Sequence, residues 1–185
     1  MTRIILASKS PRRRELLELL KVPFEIIVSD IDEQIDHNND LVKEIEKLSF
    51  QKANAVFKDH QDALVIGSDT IVKIGNTALG KPHSIEEAKK MLRDLSDKTH
   101  EVVTGVTILY KDQVETFSSI AKVNFYPLSE EEIDEYVSTN EPMDKAGAYA
   151  IQGDAAKFIR SIEGDYYTIV GLPIAELYHR LKHYL

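Results

Sequence analysis

Asp69 is a carboxylate inside an apolar run. The stretch Ala63-Leu64-Val65-Ile66-Gly67-Ser68-Asp69-Thr70-Ile71-Val72 is rich in β-branched residues and reads as a buried strand. Acids are almost never fully buried unless they are paired or hold a metal. Two readings fit. Either the strand ends at Gly67 and Asp69 caps a turn, or an acid stands at the carboxyl end of a core strand, where open α/β sheets place their ligands. Lys52 is a second anomaly. Leu41, Ile45, Leu48, Ala53, Val56 and Phe57 recur at helical spacing across residues 40–60, and Lys52 falls on the same stripe. Such a lysine either snorkels to the helix edge or aims a cation at the site of Asp69. Replacing a charge on an apolar stripe is expected to cost little stability.

Other segments suit an anion. In Ser8-Lys9-Ser10-Pro11-Arg12-Arg13-Arg14 a strand gives way to a helix, with Ser10 at the N-cap and Pro11 at the first helical position. Free amides at that helix start favour a negative ligand, Ser8 and Ser10 add donors, and Arg13 adds a bidentate fork. Three consecutive arginines point about 100° apart, so no more than two serve one site. Asp30, Asp32, Glu33 and Asp36 cluster without His or Cys, which suits a hard cation such as Mg²⁺ or Mn²⁺ or else a solvated loop. Gly80-Lys81-Pro82 fixes a lysine in a rigid loop. In residues 144–153, two glycines and three alanines allow close backbone approach, and Gln152 offers a donor and an acceptor that suit a base edge. The alternative for that block is a tight structural crossing.

The elements that must position these groups are read as follows. Strands are expected over residues 3–7 and 24–28, helices over 11–21 and 40–60, and an acidic loop over 29–40. The apolar strand runs to Ile74, and Gly75-Asn76 turns a hairpin. Ser84 starts a helix to Leu95, residues 102–109 and 114–125 pair around Lys111-Asp112, and Ser129 caps a helix with an acidic first turn. Residues 155–162 and 166–170 flank a Gly164-Asp165 turn, and Pro173 opens a last helix to Tyr184. Strands and helices mix without strict alternation, which predicts an α/β fold with a mixed central sheet and helices packed on it.

The chain has 185 residues, a length for one domain or a domain with a small lobe. It has no cysteine, which excludes disulfides, thiolate metal sites and a cysteine nucleophile and fits a reducing compartment. The net charge of −8 argues against nucleic acid as a partner. No window approaches the length of a membrane span, and no signal peptide is recognisable, so a cytoplasmic protein is expected. The six histidines form no metal pattern, and His179 and His183 suit the end of a helix dipole. There is neither a G-x-S-x-G elbow nor a G-x-x-x-x-G-K-[ST] loop.

Taken in order, LASKSPRRRELL, DIDE, QKA around Lys52, GSDTIV around Asp69, GKP, DKAGAYAIQG and the stretch from Ile162 to Pro173 resemble the Maf family of nucleoside triphosphate pyrophosphatases. The resemblance covers almost the whole chain and implies a single domain over 1–185 with an elongated mixed sheet. The fold it implies is similar to that of inosine triphosphate pyrophosphatases, with a deep cleft between two lobes. It implies hydrolysis of the α–β phosphoanhydride to a monophosphate and pyrophosphate, with a divalent metal. Asp69 would be the general base, Glu33, Lys52 and Lys81 active-site residues, and Ser8, Ser10 and Arg13 the phosphate-binding part. Glu33 and Asp69 would hold the metal, Asp69 serving as base, ligand or both. Arg12, Thr70 and Gln152 match the positions that mark the dTTP/UTP subfamily. The family name also suggests another role, a nucleotide-binding regulator of septum formation that needs no turnover. The expected partner is the nucleotide alone, with neither nucleic acid nor membrane; a homodimer is left open.

Overall fold

A computed structural model describes residues 2–28 and 30–185. The expected start of the acidic loop, Ser29, lies outside the described residues. Among those described, seven strands form one mixed sheet in the order β2-β1-β3-β5-β6-β7, with β4 paired to β3. The strands are β1 (Ile4–Ala7), β2 (Glu25–Ile26), β3 (Leu64–Ile74), β4 (Thr77–Leu79), β5 (Thr99–Tyr110), β6 (Gln113–Phe125) and β7 (Ile159–Glu163). The helices are α1 (Pro11–Glu18), α2 (Leu41–Phe57), α3 (Ile85–Leu95), α4 (Glu130–Ser138), α5 (Tyr166–Val170) and α6 (Ile174–Leu181). The mixed α/β sheet with helices on it is the architecture that the element pattern predicts.

The chain forms two compact units. The first takes in the chain up to Thr70, Thr104–Ser119 and Gly171–Leu185; the second takes in Ile71–Val103 and Ile120–Val170. In the first, β1 pairs in parallel with β2 and β3, and its last register pair with β3 is Ala7 with Gly67. Parallel strands are covered on both faces, which is why β1 and the start of β3 are apolar without alternation. Ala53 and Val56 of α2 pack on Ile5, Ala7, Ala63 and Val65. In the second unit, α3 and α4 bury Leu92, Leu95, Ile133 and Tyr136 with Phe125, Tyr149 and Phe158. A full capping box at Ser129 and Glu132 starts α4, and Ser84 accepts the Glu87 amide to start α3.

Three expectations change. The strand does not end at Gly67, nor does Asp69 cap a turn: β3 runs through Asp69 to Ile74, where the hairpin with β4 begins. Ser10 occupies the N-cap of α1, but its side chain makes no cap bond; its own amide donates to Ser8 Oγ at 3.2 Å. Tyr166–Val170 is helical, because Asp165 takes the Tyr167 amide at 3.3 Å and the Thr168 amide at 2.9 Å. No helix among the described residues is long and apolar enough to cross a membrane.

Candidate active site

Glycine lets α2 sit with its backbone against the sheet. A Cβ on Gly67 of β3 would lie 2.3 Å from the Ser49 carbonyl oxygen and 2.7 Å from the Ala53 nitrogen. A Cβ on Gly105 of β5 would lie 2.8 Å from the Ile45 carbonyl oxygen. No other residue type fits at either place. Side chains of a strand alternate between faces, so Asp69, two residues beyond Gly67, points to the same face as the helix. Lys52 is the residue of α2 that meets it.

Lys52 Nζ donates to Asp69 Oδ1 at 2.9 Å and lies 3.1 Å from Glu33 Oε1. The Lys52 and Asp69 side chains are only 10% and 13% exposed, whereas Glu33 is 46% exposed. The lysine therefore does not snorkel to water. It ends on two carboxylates from separate segments, and each spends one oxygen on it. This gives Lys52 a structural share that the stripe alone does not reveal, because its loss would leave Asp69 poorly solvated and unpaired.

The opposite face of β3 builds a second cluster. Arg13 Nε donates to the Gly171 carbonyl at 2.8 Å and Nη2 to Thr70 Oγ1 at 3.0 Å, while Nη1 lies 3.5 Å from Ser8 Oγ. Thr70 Oγ1 also shares a hydrogen with Thr104 Oγ1 at 2.8 Å. Ser68 Oγ donates to the same Gly171 carbonyl at 3.2 Å. Burial lowers the affinity of the Arg13 guanidinium for its proton, and Asp69 opposes that effect. An arginine so held keeps its charge, and the rest of its five N–H groups stay available for an anion. Arg14 turns outward to pair with Glu18 at 2.9 Å, as the spacing of three arginines requires.

Both clusters stand where β1 stops. Its last pair is Ala7 with Gly67, so Ser8, Ser10, Asp69 and Thr70 all lie just past the carboxyl end of the parallel strands. That is the place open α/β sheets use for ligands. Asp69 is thus interior to its own strand and still at the end of the parallel part. Arg12 is half-buried and makes no hydrogen bond or ion pair among the described residues.

Lys81 and Gln152 belong to the second unit, and both are exposed. The Gly147 amide donates to the Gly80 carbonyl at 3.1 Å, which ties the lysine loop to the glycine- and alanine-rich block. That block is a tight crossing, as its composition allows: a Cβ on Gly147 would lie 2.9 Å from Val72 Cγ1. Gln152 nonetheless faces outward at a turn closed by the Gly153 amide on the Ala150 carbonyl at 3.1 Å. Sequence reasoning did not single out Thr104 or Ser68, whose only local signal is a hydroxyl within an apolar strand. Gly171 entered only as part of a motif.

The donor chemistry bears on a metal. Among the described residues no three His, Cys, Asp or Glu side chains gather into a metal cage. Glu33 and Asp69 meet at one ammonium, and both are hard oxygen donors. This pair fits a cation of the kind that takes one or two carboxylates and completes its shell with substrate phosphates.

A shielded lysine–aspartate pair that also meets an exposed glutamate, with a fixed arginine on the other face of β3, stands at the end of the parallel strands, and this chemistry suits an anionic substrate. A family model described as Maf-like protein matches residues 3–184. The chain belongs to the Maf-like family. It is 50% identical to the dTTP/UTP pyrophosphatase of Bacillus cytotoxicus over 184 residues, which cover 100% of this chain and 96% of that protein. It is 52% identical to the dTTP/UTP pyrophosphatases of a Bacillus cereus strain and of Bacillus mycoides, again over 184 residues, 100% of this chain and 96% of each relative.

Proposed function

We propose that this chain hydrolyses dTTP and UTP to the nucleoside monophosphate and pyrophosphate. The observation that carries the reading is Lys52 held between Asp69 and Glu33 at the end of the parallel strands. Relatives half identical over the full length and named dTTP/UTP pyrophosphatases support the choice of substrate. Anhydride hydrolysis needs charge neutralisation, an oriented water and a proton acceptor, and little else.

Arg13 and Lys52 balance the phosphate charge, and Ser8 and Ser10 add donors at the start of α1. Lys81 keeps the active-site role that its Gly80-Lys81-Pro82 motif implies. Asp69 accepts the proton of the attacking water, and Lys52 fixes the direction of the carboxylate. Glu33 and Asp69 are the residues to hold Mg²⁺ or Mn²⁺. When bound, such an ion neutralises phosphate charge and acidifies a water. Gln152 reads the base edge: uracil and thymine show carbonyl acceptors around one N–H, which an amide can meet, and Arg12 keeps the base-specificity role that its motif position implies. The Thr70 hydroxyl is engaged by Arg13 and Thr104, so its influence on activity runs through the arginine. A substrate drawn from the nucleotide pool fits a cytoplasmic protein.

A panel of dTTP, UTP, CTP, ATP and GTP with Mg²⁺, with Mn²⁺ and with chelator tests the reading, with products separated chromatographically. Monophosphate plus pyrophosphate, fastest with dTTP and UTP and absent in chelator, is the expected result. Diphosphate plus phosphate would overturn the reaction, and purine triphosphates handled as well as UTP would overturn the base assignment.

A further inference from the structure

Two groups in the second unit, one buried and one half-buried, have no part in the chemistry, yet they bracket Gln152. The first is Tyr136 of α4, only 1% exposed. Its phenol oxygen accepts the Ala150 amide at 3.3 Å. Burial and the Glu141 carboxylate beside it keep that phenol protonated. The second is Glu141 itself, in the 3-10 turn Glu141–Asp144 that follows α4. Its Oε1 accepts the Asp154 amide at 3.3 Å. It also lies against Gly153: a Cβ there would come within 1.9 Å of Glu141 Oε1, so any side chain at this position would push the carboxylate from its place.

Gln152 therefore sits at the corner of a turn whose two flanks are pinned. Ala150, two residues before it, is held by Tyr136; Asp154, two residues after it, is held by Glu141; the Gly153 amide closes the turn on the Ala150 carbonyl. The Gln152 side chain itself is exposed and makes no hydrogen bond among the described residues. An amide that must tell one base edge from another discriminates only if its backbone is fixed, because a mobile amide can rotate to suit either pattern. We infer that Tyr136 and Glu141 are positioning residues for base selection, acting through Gln152 without touching the substrate. This rests on the reading of Gln152 as the base reader given above.

The experiment has two independent arms. Amide hydrogen exchange tests the clamp: Tyr136→Phe should speed exchange at Ala150 and Glu141→Ala should speed it at Asp154, whereas unchanged exchange would overturn the clamp. Selectivity tests its purpose. The ratio of kcat/KM for UTP to that for ATP is measured in wild type, Tyr136→Phe, Glu141→Ala and Gln152→Ala, and in each clamp variant combined with Gln152→Ala. Calorimetric dissociation constants supply the same ratio if turnover is absent. Each clamp variant should lower the ratio by about tenfold, the equivalent of one hydrogen bond, with little change on ATP. In the Gln152→Ala background it should change nothing, because the group it acts through is gone. Glu141→Gln keeps the acceptor oxygen and should keep the wild-type ratio. Equal losses on both nucleotides, or the same loss without Gln152, would mean that the clamp serves only stability. A ratio unmoved by Gln152→Ala alone would remove the base reader, and with it the purpose of the clamp, while leaving the exchange result standing.

Discussion

The Lys52 ammonium lies 2.9 Å from Asp69, and the lysine side chain is slightly more shielded than the aspartate it meets. Helix α2 supplies one partner and strand β3 the other, and Gly67 makes the approach possible. The pair decides what each partner can do. Lysine gives Asp69 a partner at little exposure, and Asp69 draws a cation into a helix face that is otherwise apolar.

Asp69→Asn keeps the shape of the side chain and an oxygen for Lys52 but removes the base. A loss in kcat on the order of 10²-fold is expected. Near-wild-type turnover by a variant with an unchanged melting curve would exclude Asp69 as the proton acceptor.

Lys52→Met should abolish turnover and also lower stability, by about 1–3 kcal/mol, because it strands Asp69 with little solvent. The double variant Lys52→Met/Asp69→Asn should recover most of that stability and none of the activity. Denaturant unfolding of the two, beside an activity assay, separates the structural share from the chemical one. If the single variant is as stable as wild type, the pair contributes nothing to folding.

Thr70→Val preserves the strand but takes an acceptor from Arg13. Since Arg13 is assigned to phosphate, KM should rise by about tenfold for pyrimidine and purine triphosphates alike. A change confined to the ratio between bases would put Thr70 on the base instead.

His100 is buried beside Phe125 and Tyr149, and its Nε2 lies 2.7 Å from the Tyr149 hydroxyl. Burial pulls its pKa from 6.5 down to about 4. The unfolded chain then binds a proton that the folded chain refuses. Stability is unaffected above pH 6.5 and falls as the pH drops from there toward 4, by about 3 kcal/mol over that window. His100→Gln should flatten this part of the profile relative to wild type, whatever constant cost it adds. Parallel wild-type and variant curves between those pH values would show that His100 is protonated without penalty.

Periodicity is a local property, and it placed much of this protein in advance. The stripe of α2 and the apolar run of β3 specify which residues face the core, so Lys52 and Asp69 stand out as charges in the wrong company before any fold is known. Serine caps and the Gly75-Asn76 turn set boundaries by bonding within a few residues, and they too are legible. What the sequence left open depends on partners far along the chain. Tyr166–Val170 has the composition of a strand, and only the Asp165 carboxylate on two amides shows it helical. Whether β3 stops before Asp69 is settled by pairing with β4, not by its own residues. The Gly171 carbonyl reaches Arg13 across 158 positions of sequence, and Thr104 reaches Thr70 from another strand. Backbone acceptors and strand-to-strand hydroxyl pairs leave no pattern in the residue types, because their geometry exists only once the chain has closed on itself.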